Sequence, residues 1–271
     1  MTRLVATLPM YDWPEVRGHT DRLWQRLGEA IADAGIAARA DLPDGLSRRD
    51  DPFVPWRDPC LVLGQTCGLP FATRLQGQVT LVGSPAYAIA AAPGSYCSVI
   101  IAPAASGAPD PLGWEGMRFA YNDDGSQSGV AAWLGELIAA GRGLPRDFTA
   151  VRSGSHRQSV RCVADGDAEL ATIDAVSFEL ALRHEPAARR VRVLGRTAER
   201  PALPVITAPR FAGDVAKLQR AAAEAIRSLD GATRDALLLT GFVPRDEADY
   251  APLRSHWDQA RAKGMLAAFA A

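Results

Sequence analysis

Short apolar runs alternate with stretches of helical periodicity along most of the chain, the pattern of an α/β fold in which mainly parallel sheets are covered by helices on both faces. The apolar runs predict strands at residues 4–8, 60–63, 79–82, 98–102, 118–121, 170–174, 192–194 and 203–207. Between the first two, Val16, Leu23, Leu27 and Ile31 recur at helical spacing after Pro14, a residue suited to a first helical turn. That helix buries one stripe and carries no chemistry. Val215, Leu218, Ala222 and Ile226, followed by Trp257 and Leu266, predict C-terminal helices packed on the first half of the molecule.

Two stretches interrupt this rhythm. Residues 90–111 are rich in Ala, Pro, Gly and Ser around one apolar strand, and residues 196–209 are studded with proline. If the chain crosses between lobes at both, residues 1–105 and 200–271 form a discontinuous first lobe and 106–199 an inserted second lobe. Each lobe is then a sheet flanked by helices, and a cleft between lobes is a preferred place for a ligand.

Composition narrows the functions available. The 271 residues are 48% hydrophobic, enough for sizeable cores. Lys plus Arg (30) and Asp plus Glu (31) nearly cancel, so no global field draws the chain to nucleic acid or to an anionic membrane. An anion has to be captured locally. Cys60, Cys67, Cys97 and Cys162 show no CxxC spacing and no accompanying His pairs, which argues against zinc and a redox dithiol and for four reduced thiols. No metal or cofactor is expected. The first residues enter an apolar strand without a secretory signal, so the expected compartment is the cytoplasm, or the periplasm if a signal has been removed or export takes another route. No run approaches the length that spans a bilayer, and direct membrane insertion is not expected. Monomer is the default state.

Three segments carry candidate chemistry. The first runs from a strand ending near Tyr121 through Asn122-Asp123-Asp124-Gly125-Ser126-Gln127-Ser128-Gly129 into an apolar helix with Trp133, Leu134, Leu137 and Ile138. Such a turn aims helix N-terminal N–H groups, with the hydroxyls of Ser126 and Ser128, at one point, and binds anions without net positive charge. Ordinary capping by either serine is the alternative. In the second, Gly154-Ser155-His156 opens a helix with Val160 and Val163 facing inward. An imidazole placed there can donate to an oxyanion and change charge near neutral pH, or serve only as a surface or capping residue. The third, Ala168-Glu169-Leu170-Ala171-Thr172-Ile173-Asp174, is a strand ending in a carboxylate. It either contacts a ligand at the sheet's carboxyl edge or caps the next helix.

The order and spacing of these three segments resemble the phosphonate-type solute-binding proteins of ABC importers, which have the two-lobed type II periplasmic-binding-protein fold. In that family a turn ending in Ser-Gly is followed by Gly-x-His and then by Ala-Asp-(Ile/Val)-Ala-x-(Ile/Val)-Asp. The resemblance extends to Leu8-Pro9-Met10-Tyr11-Asp12, Gln65-Thr66-Cys67-Gly68, Gly83-Ser84-Pro85-Ala86-Tyr87 and Tyr96-Cys97-Ser98. It implies that Tyr11, Gln65, Thr66 and Tyr96 face the ligand from one lobe. Asn122, Ser126, Gln127, Ser128, His156 and Asp174 then face it from the other. Gln127 departs from a position often held by Thr or Ser. The implied function is binding of a small phosphonate- or phosphate-like anion by hinge closure, with an ABC transporter permease as the implied partner.

Two other functions compete with this. A hydrolase could use Ser128, His156 and Asp174 as nucleophile, base and orienting acid, but Gly125-Ser126-Gln127-Ser128-Gly129 places Gln at the centre of what would be the nucleophile elbow. There is no HExxH, P-loop or GxGxxG after a strand, and no enzyme is expected. A cytoplasmic ligand sensor of the same fold is the other alternative.

Overall fold

A computed structural model describes residues 3–107 and 109–270. The chain divides into two compact units, one running through Ser95 and resuming at Pro201–Tyr250, the other comprising Tyr96–Arg200 and the segment from Ala251 onward. The first two crossings fall inside the stretches 90–111 and 196–209. The third, after Tyr250, was not expected.

The first unit begins with β1 (Val5–Thr7), α1 (Arg17–Asp33), β2 (Leu61–Gln65), α2 (Gly68–Thr73) and β3 (Thr80–Tyr87). Thr20, Trp24, Leu27 and Ile31 are buried on α1, one face of a helix by their spacing. The Trp24 indole N–H donates to the Pro43 carbonyl at 3.0 Å, so this large ring is buried without an orphaned donor. Strand β2 is buried along its whole length.

The second unit carries β4 (Ser98–Pro103), β5 (Arg118–Tyr121), α3 (Ala132–Ala139), β6 (Thr149–Arg152), α4 (His156–Asp165), β7 (Leu170–Asp174), α5 (Ala175–His184) and β8 (Val191–Arg196). Their sheet order is β6-β5-β7-β4-β8. Strands β6, β5 and β7 run parallel, and β4 is antiparallel to both β7 and β8.

The chain then returns to the first unit with β9 (Val205–Thr207), α6 (Val215–Ser228) and β10 (Leu239–Val243), completing a sheet of order β1-β2-β9-β3-β10. Strand β9 is antiparallel to β2 and β3, and β10 is antiparallel to β3. The α/β class with helix-flanked sheets is as expected, but the sheets are mixed rather than mainly parallel. Strands β4 and β9 both arrive from stretches without a helix, and parallel pairing needs a crossover connection, usually helical. Strand β10 escaped the sequence pattern because only Leu239 of its five residues is buried.

The core of the second unit is aromatic. Phe119 on β5 stacks on Trp133 of α3 with ring centroids 4.3 Å apart, and Trp133 stacks in turn on Phe148 at 5.6 Å. The Trp133 N–H donates to the Pro111 carbonyl at 3.1 Å. These contacts fix the start of α3 against the sheet. The last helix, α7 (Glu247–Ala262), contains the crossing at Tyr250. Beyond it Phe269 packs edge-on against Tyr121 at 5.2 Å, and its carbonyl accepts from the Tyr121 hydroxyl at 3.0 Å. Trp257 and Leu266, expected on the first lobe, therefore pack against the second unit's core. Helical periodicity shows that a face is buried, not which core buries it. Strand 98–103, part of the expected first lobe, likewise belongs to the second unit's sheet.

Candidate functional site

Strand β5 ends at Tyr121, and the chain reverses through an Asx turn in which the Asp123 side chain accepts from Gly125 N–H at 2.9 Å. Asp123 also accepts, through its carbonyl, from Ser126 N–H at 3.0 Å. Ser126 then caps the next turn, its hydroxyl oxygen accepting from Gly129 N–H at 3.0 Å. That turn is not an ordinary α-helical start. Ala131 N–H reaches back to the Ser126 carbonyl at 3.1 Å and Ala132 N–H to that of Gln127, so residues Gln127–Ala131 form a widened, π-type turn before α3 begins. Such turns are uncommon and recur at functional sites.

The widened turn is pinned by hydroxyls from two strands. Ser98 on β4 donates to the Ser128 carbonyl at 2.9 Å, and Thr172 on β7 donates to the Gly129 carbonyl at 3.0 Å. The N–H groups of Gln127 and Ser128 precede any intrahelical acceptor and carry the positive end of the helix dipole. Gly129 is required here by close approach. A Cβ at this position would stand 1.9 Å from the Asn122 side-chain oxygen.

His156 reaches the same place because β5 and β6 are parallel neighbours, with Tyr121 opposite Arg152. Their ends lie side by side, at the carboxyl edge where α/β sheets place ligands. Gly154, with φ of 88°, turns the chain, and Ser155 caps α4 by accepting from Gln158 N–H at 3.1 Å. The Ser153 hydroxyl ties the turn back to β5 by donating to the Tyr121 carbonyl at 2.9 Å. His156 Nε2 and the Ser128 hydroxyl are then 2.7 Å apart.

Burial pushes the His156 imidazole down from its ordinary 6.5 to about 4, so it is neutral at pH 7. The nearby charges are already spent. Arg152 pairs with Asp123 at 3.1 Å and Asp124 at 3.5 Å, while Arg157 and Arg161 both reach Glu185 at 2.7 Å. Three side-chain atoms in and beside the turn are buried without a hydrogen-bond partner: Asn122 Oδ1, Gln127 Oε1 and His156 Nδ1.

Asn122, Ser126, Gln127, Ser128 and His156 are thus brought together in the second unit. Asp174 serves as a helix cap, accepting from Val176 N–H at 2.9 Å and Ser177 N–H at 3.0 Å. Since His156 Nδ1 has no partner, no carboxylate orients the imidazole as a catalytic relay requires. Tyr96, expected with the first-lobe residues, belongs to the second unit and is buried. Tyr11, Gln65 and Thr66 lie in the first unit. There Gln65 donates from Nε2 to the Tyr87 hydroxyl at 2.9 Å, Tyr11 packs edge-on against Tyr87 at 5.3 Å, and Thr66 is fully buried. The sequence reading missed Ser98 and Thr172 as supports of the turn. The only available signal was a hydroxyl residue at a fully buried position of each strand, which also suits a plain core position. Among the described residues no group of His, Cys, Asp and Glu is arranged to hold a metal ion, and no helix is long and apolar enough to cross a membrane.

Residues 69–250 match the family model described as ABC transporter, phosphonate, periplasmic substrate-binding protein. The chain belongs to this family. Solved structures share the fold of this phosphonate-type substrate-binding protein across nearly its full length. A Xanthomonas citri protein bound to chloride ion is 16% identical with a TM-score of 0.70, covering 97% of this chain and 100% of its own. PhnD1 from Prochlorococcus marinus, in complex with methylphosphonate, is 14% identical with a TM-score of 0.70 and covers 96% and 98%. A binding-protein component of an ABC phosphonate transporter from Pseudomonas aeruginosa is 12% identical with a TM-score of 0.68 and covers 96% and 87%. No curated protein matches the chain. At these identities the likenesses show the fold of this phosphonate-type chain, and the family match rests on its own sequence.

Proposed function

We propose that the chain binds a small phosphonate-class oxyanion, its headgroup held by the N–H groups of Gln127 and Ser128, the Ser128 hydroxyl and His156. The observation that carries this is the Ser128–His156 pair. A neutral imidazole has one N–H. If it is on Nε2 it donates to the Ser128 oxygen, and the serine hydrogen is left over. If it is on Nδ1, the serine donates to Nε2 and the buried Nδ1–H has no acceptor. Either tautomer leaves one donor unspent inside a preorganised turn, and an oxyanion supplies the missing acceptor.

The orphaned oxygens of Asn122 and Gln127 favour one class of oxyanion. They need donors, and a singly protonated phosphonate carries a P–OH beside its acceptor oxygens. A sulfonate carries none. Each hydrogen bond to a charged group contributes about 1.5–3 kcal/mol, so three or four of them, less ordering costs, give an affinity of about micromolar or tighter. Titration calorimetry with methylphosphonate, inorganic phosphate, methanesulfonate and a dicarboxylate tests the reading. Saturable binding of methylphosphonate, at least tenfold tighter than methanesulfonate, is the expected result; equal affinity for the two removes the role given to Asn122 and Gln127.

The remaining parts of this reading are the delivery of the ligand to an ABC transporter permease and hinge closure of the two units on binding. Scattering measurements with and without methylphosphonate test closure, a smaller radius of gyration being expected. Loss of phosphonate uptake on deletion of the gene tests delivery, and fractionation of the native cells tests placement in the periplasm. The family is one of substrate-binding proteins, and the pair Ser128–His156 acts here in binding, so incubation with phosphoesters is expected to give no turnover.

A further inference from the structure

On α4 the residues His156, Ser159, Val160 and Val163 fall at positions i, i+3, i+4 and i+7, one face of the helix. Ser159, Val160 and Val163 are fully buried on it. Apolar burial is non-directional, so the two valines hold α4 against the sheet without fixing its rotation. Arg157 and Arg161, both reaching Glu185 at 2.7 Å, anchor the neighbouring face through long side chains that tolerate rotation. The polar member of the buried face is Ser159. Its hydroxyl stands 2.7 Å from that of Ser153, and the Ser153 hydroxyl lies 2.9 Å from the Tyr121 carbonyl and 3.1 Å from that of Ser155. The hydrogens fix the direction of this chain, because each hydroxyl has only one. If Ser153 gives its hydrogen to Ser159, the Ser159 hydrogen is left without an acceptor at a fully buried position, which is costly. If Ser153 gives it to the Tyr121 carbonyl, Ser159 donates to Ser153 and both hydrogens are spent. The chain therefore runs from Ser159 through Ser153 to the last carbonyl of β5.

We propose that Ser159 is a positioning residue for His156: the hydrogen bond it donates locks the rotation of α4 and so sets the imidazole at contact distance from Ser128. This rests on the headgroup reading above. The anchor is placed to act on His156. Ser153 and Ser159 each lie three residues from it, one on either side, so the imidazole sits in a loop of chain closed by their bond. The carbonyl at the far end belongs to Tyr121, the residue before Asn122, where the chain leaves β5 for the widened turn. The bond thus ties the support of the imidazole to the support of the turn. Groups that grip a ligand have to be held within about 0.5 Å of their working geometry by such supports. Ser159, being fully buried, offers nothing to the ligand itself, and its effect passes through His156.

The test is a double-variant cycle read by calorimetry with methylphosphonate. Ser159→Ala deletes the donor with little change in volume, and affinity is expected to fall about threefold to tenfold while Tm stays close to that of the wild type. In a His156→Ala background the same substitution is expected to cost no further affinity, since residues that act through one another are not additive. Val163→Ala, which loosens the same face without touching the bond, is expected to lower Tm and spare affinity. Ser153→Ala, at a half-buried position, removes the acceptor and serves as the second variant should Ser159→Ala not fold. Unchanged affinity in Ser159→Ala, an equal loss with and without His156, or an equal loss in Val163→Ala overturns the proposal. Should the wild type bind no phosphonate, the headgroup reading has failed instead, and the side-chain nitrogen resonances of His156 then test the positioning alone. Their displacement in Ser159→Ala, with the backbone spectrum outside α4 preserved, upholds it, and unmoved resonances overturn it.

Discussion

The Ser128 hydroxyl and His156 Nε2 stand 2.7 Å apart, contributed by the first turns of two helices that follow adjacent parallel strands. Burial holds the imidazole neutral, beside a helix start whose first N–H groups precede any intrahelical acceptor. Replacing Ser128 with Ala removes one donor of the pair and leaves the widened turn intact, because the turn is held by the Ser128 carbonyl and not its hydroxyl. The expected outcome is a loss of methylphosphonate affinity of about tenfold to a hundredfold, read by calorimetry, with Tm nearly unchanged. Unaltered affinity would remove this turn from the site.

Gly129 and Asn122 form the second test. With a Cβ at residue 129 only 1.9 Å from the Asn122 oxygen, Gly129→Ala has to displace that side chain or the turn itself. Both Tm and affinity are expected to fall. Adding Asn122→Ala relieves the clash, so the double variant recovers much of its Tm without recovering affinity, a departure from additivity expected of touching residues. A double variant no more stable than Gly129→Ala alone would show that the strain lies elsewhere.

Acid stability follows from two shifted groups. His156 titrates at about 4 in the fold against an ordinary 6.5, so below about pH 6.5 the unfolded chain takes up the proton first, and stability falls as pH drops toward 4. Burial raises the Glu185 carboxyl, but hydrogen bonds from Arg161 and Arg157 outweigh it and hold it at about 2 against 4.5. Its contribution is present above about pH 4.5 and is lost as pH falls toward 2. Melting curves of the wild type are expected to weaken in both windows. His156→Ala should flatten only the upper one and Glu185→Gln only the lower, while Glu185→Gln also costs about 1.5–3 kcal/mol at pH 7. An unchanged profile in either variant contradicts the corresponding assignment.

Much of this is legible in the sequence. The strands ending at Tyr121 and Asp174 and the helix opening at His156 were visible because apolar runs and helical spacing are local signals. The family resemblance implies that Ser128 and His156 face one ligand, but not that they bond to one another; the parallel register of β5 and β6 brings the two side chains together. What stayed hidden depends on partners distant in sequence. Ser98 and Thr172 support a turn some 30 and 43 residues away, and a hydroxyl inside an apolar strand does not announce its acceptor. Phe269 joins an aromatic core built around Phe119 and Trp133, which no periodicity in the C-terminal helix could indicate.

The most direct measurement is a crystal structure grown with methylphosphonate. The account predicts its oxygens within about 3 Å of Ser128 Oγ and of the Gln127 and Ser128 nitrogens, with His156 in contact. A phosphonate bound elsewhere, with the Ser128–His156 bond and the widened turn unengaged, would contradict it.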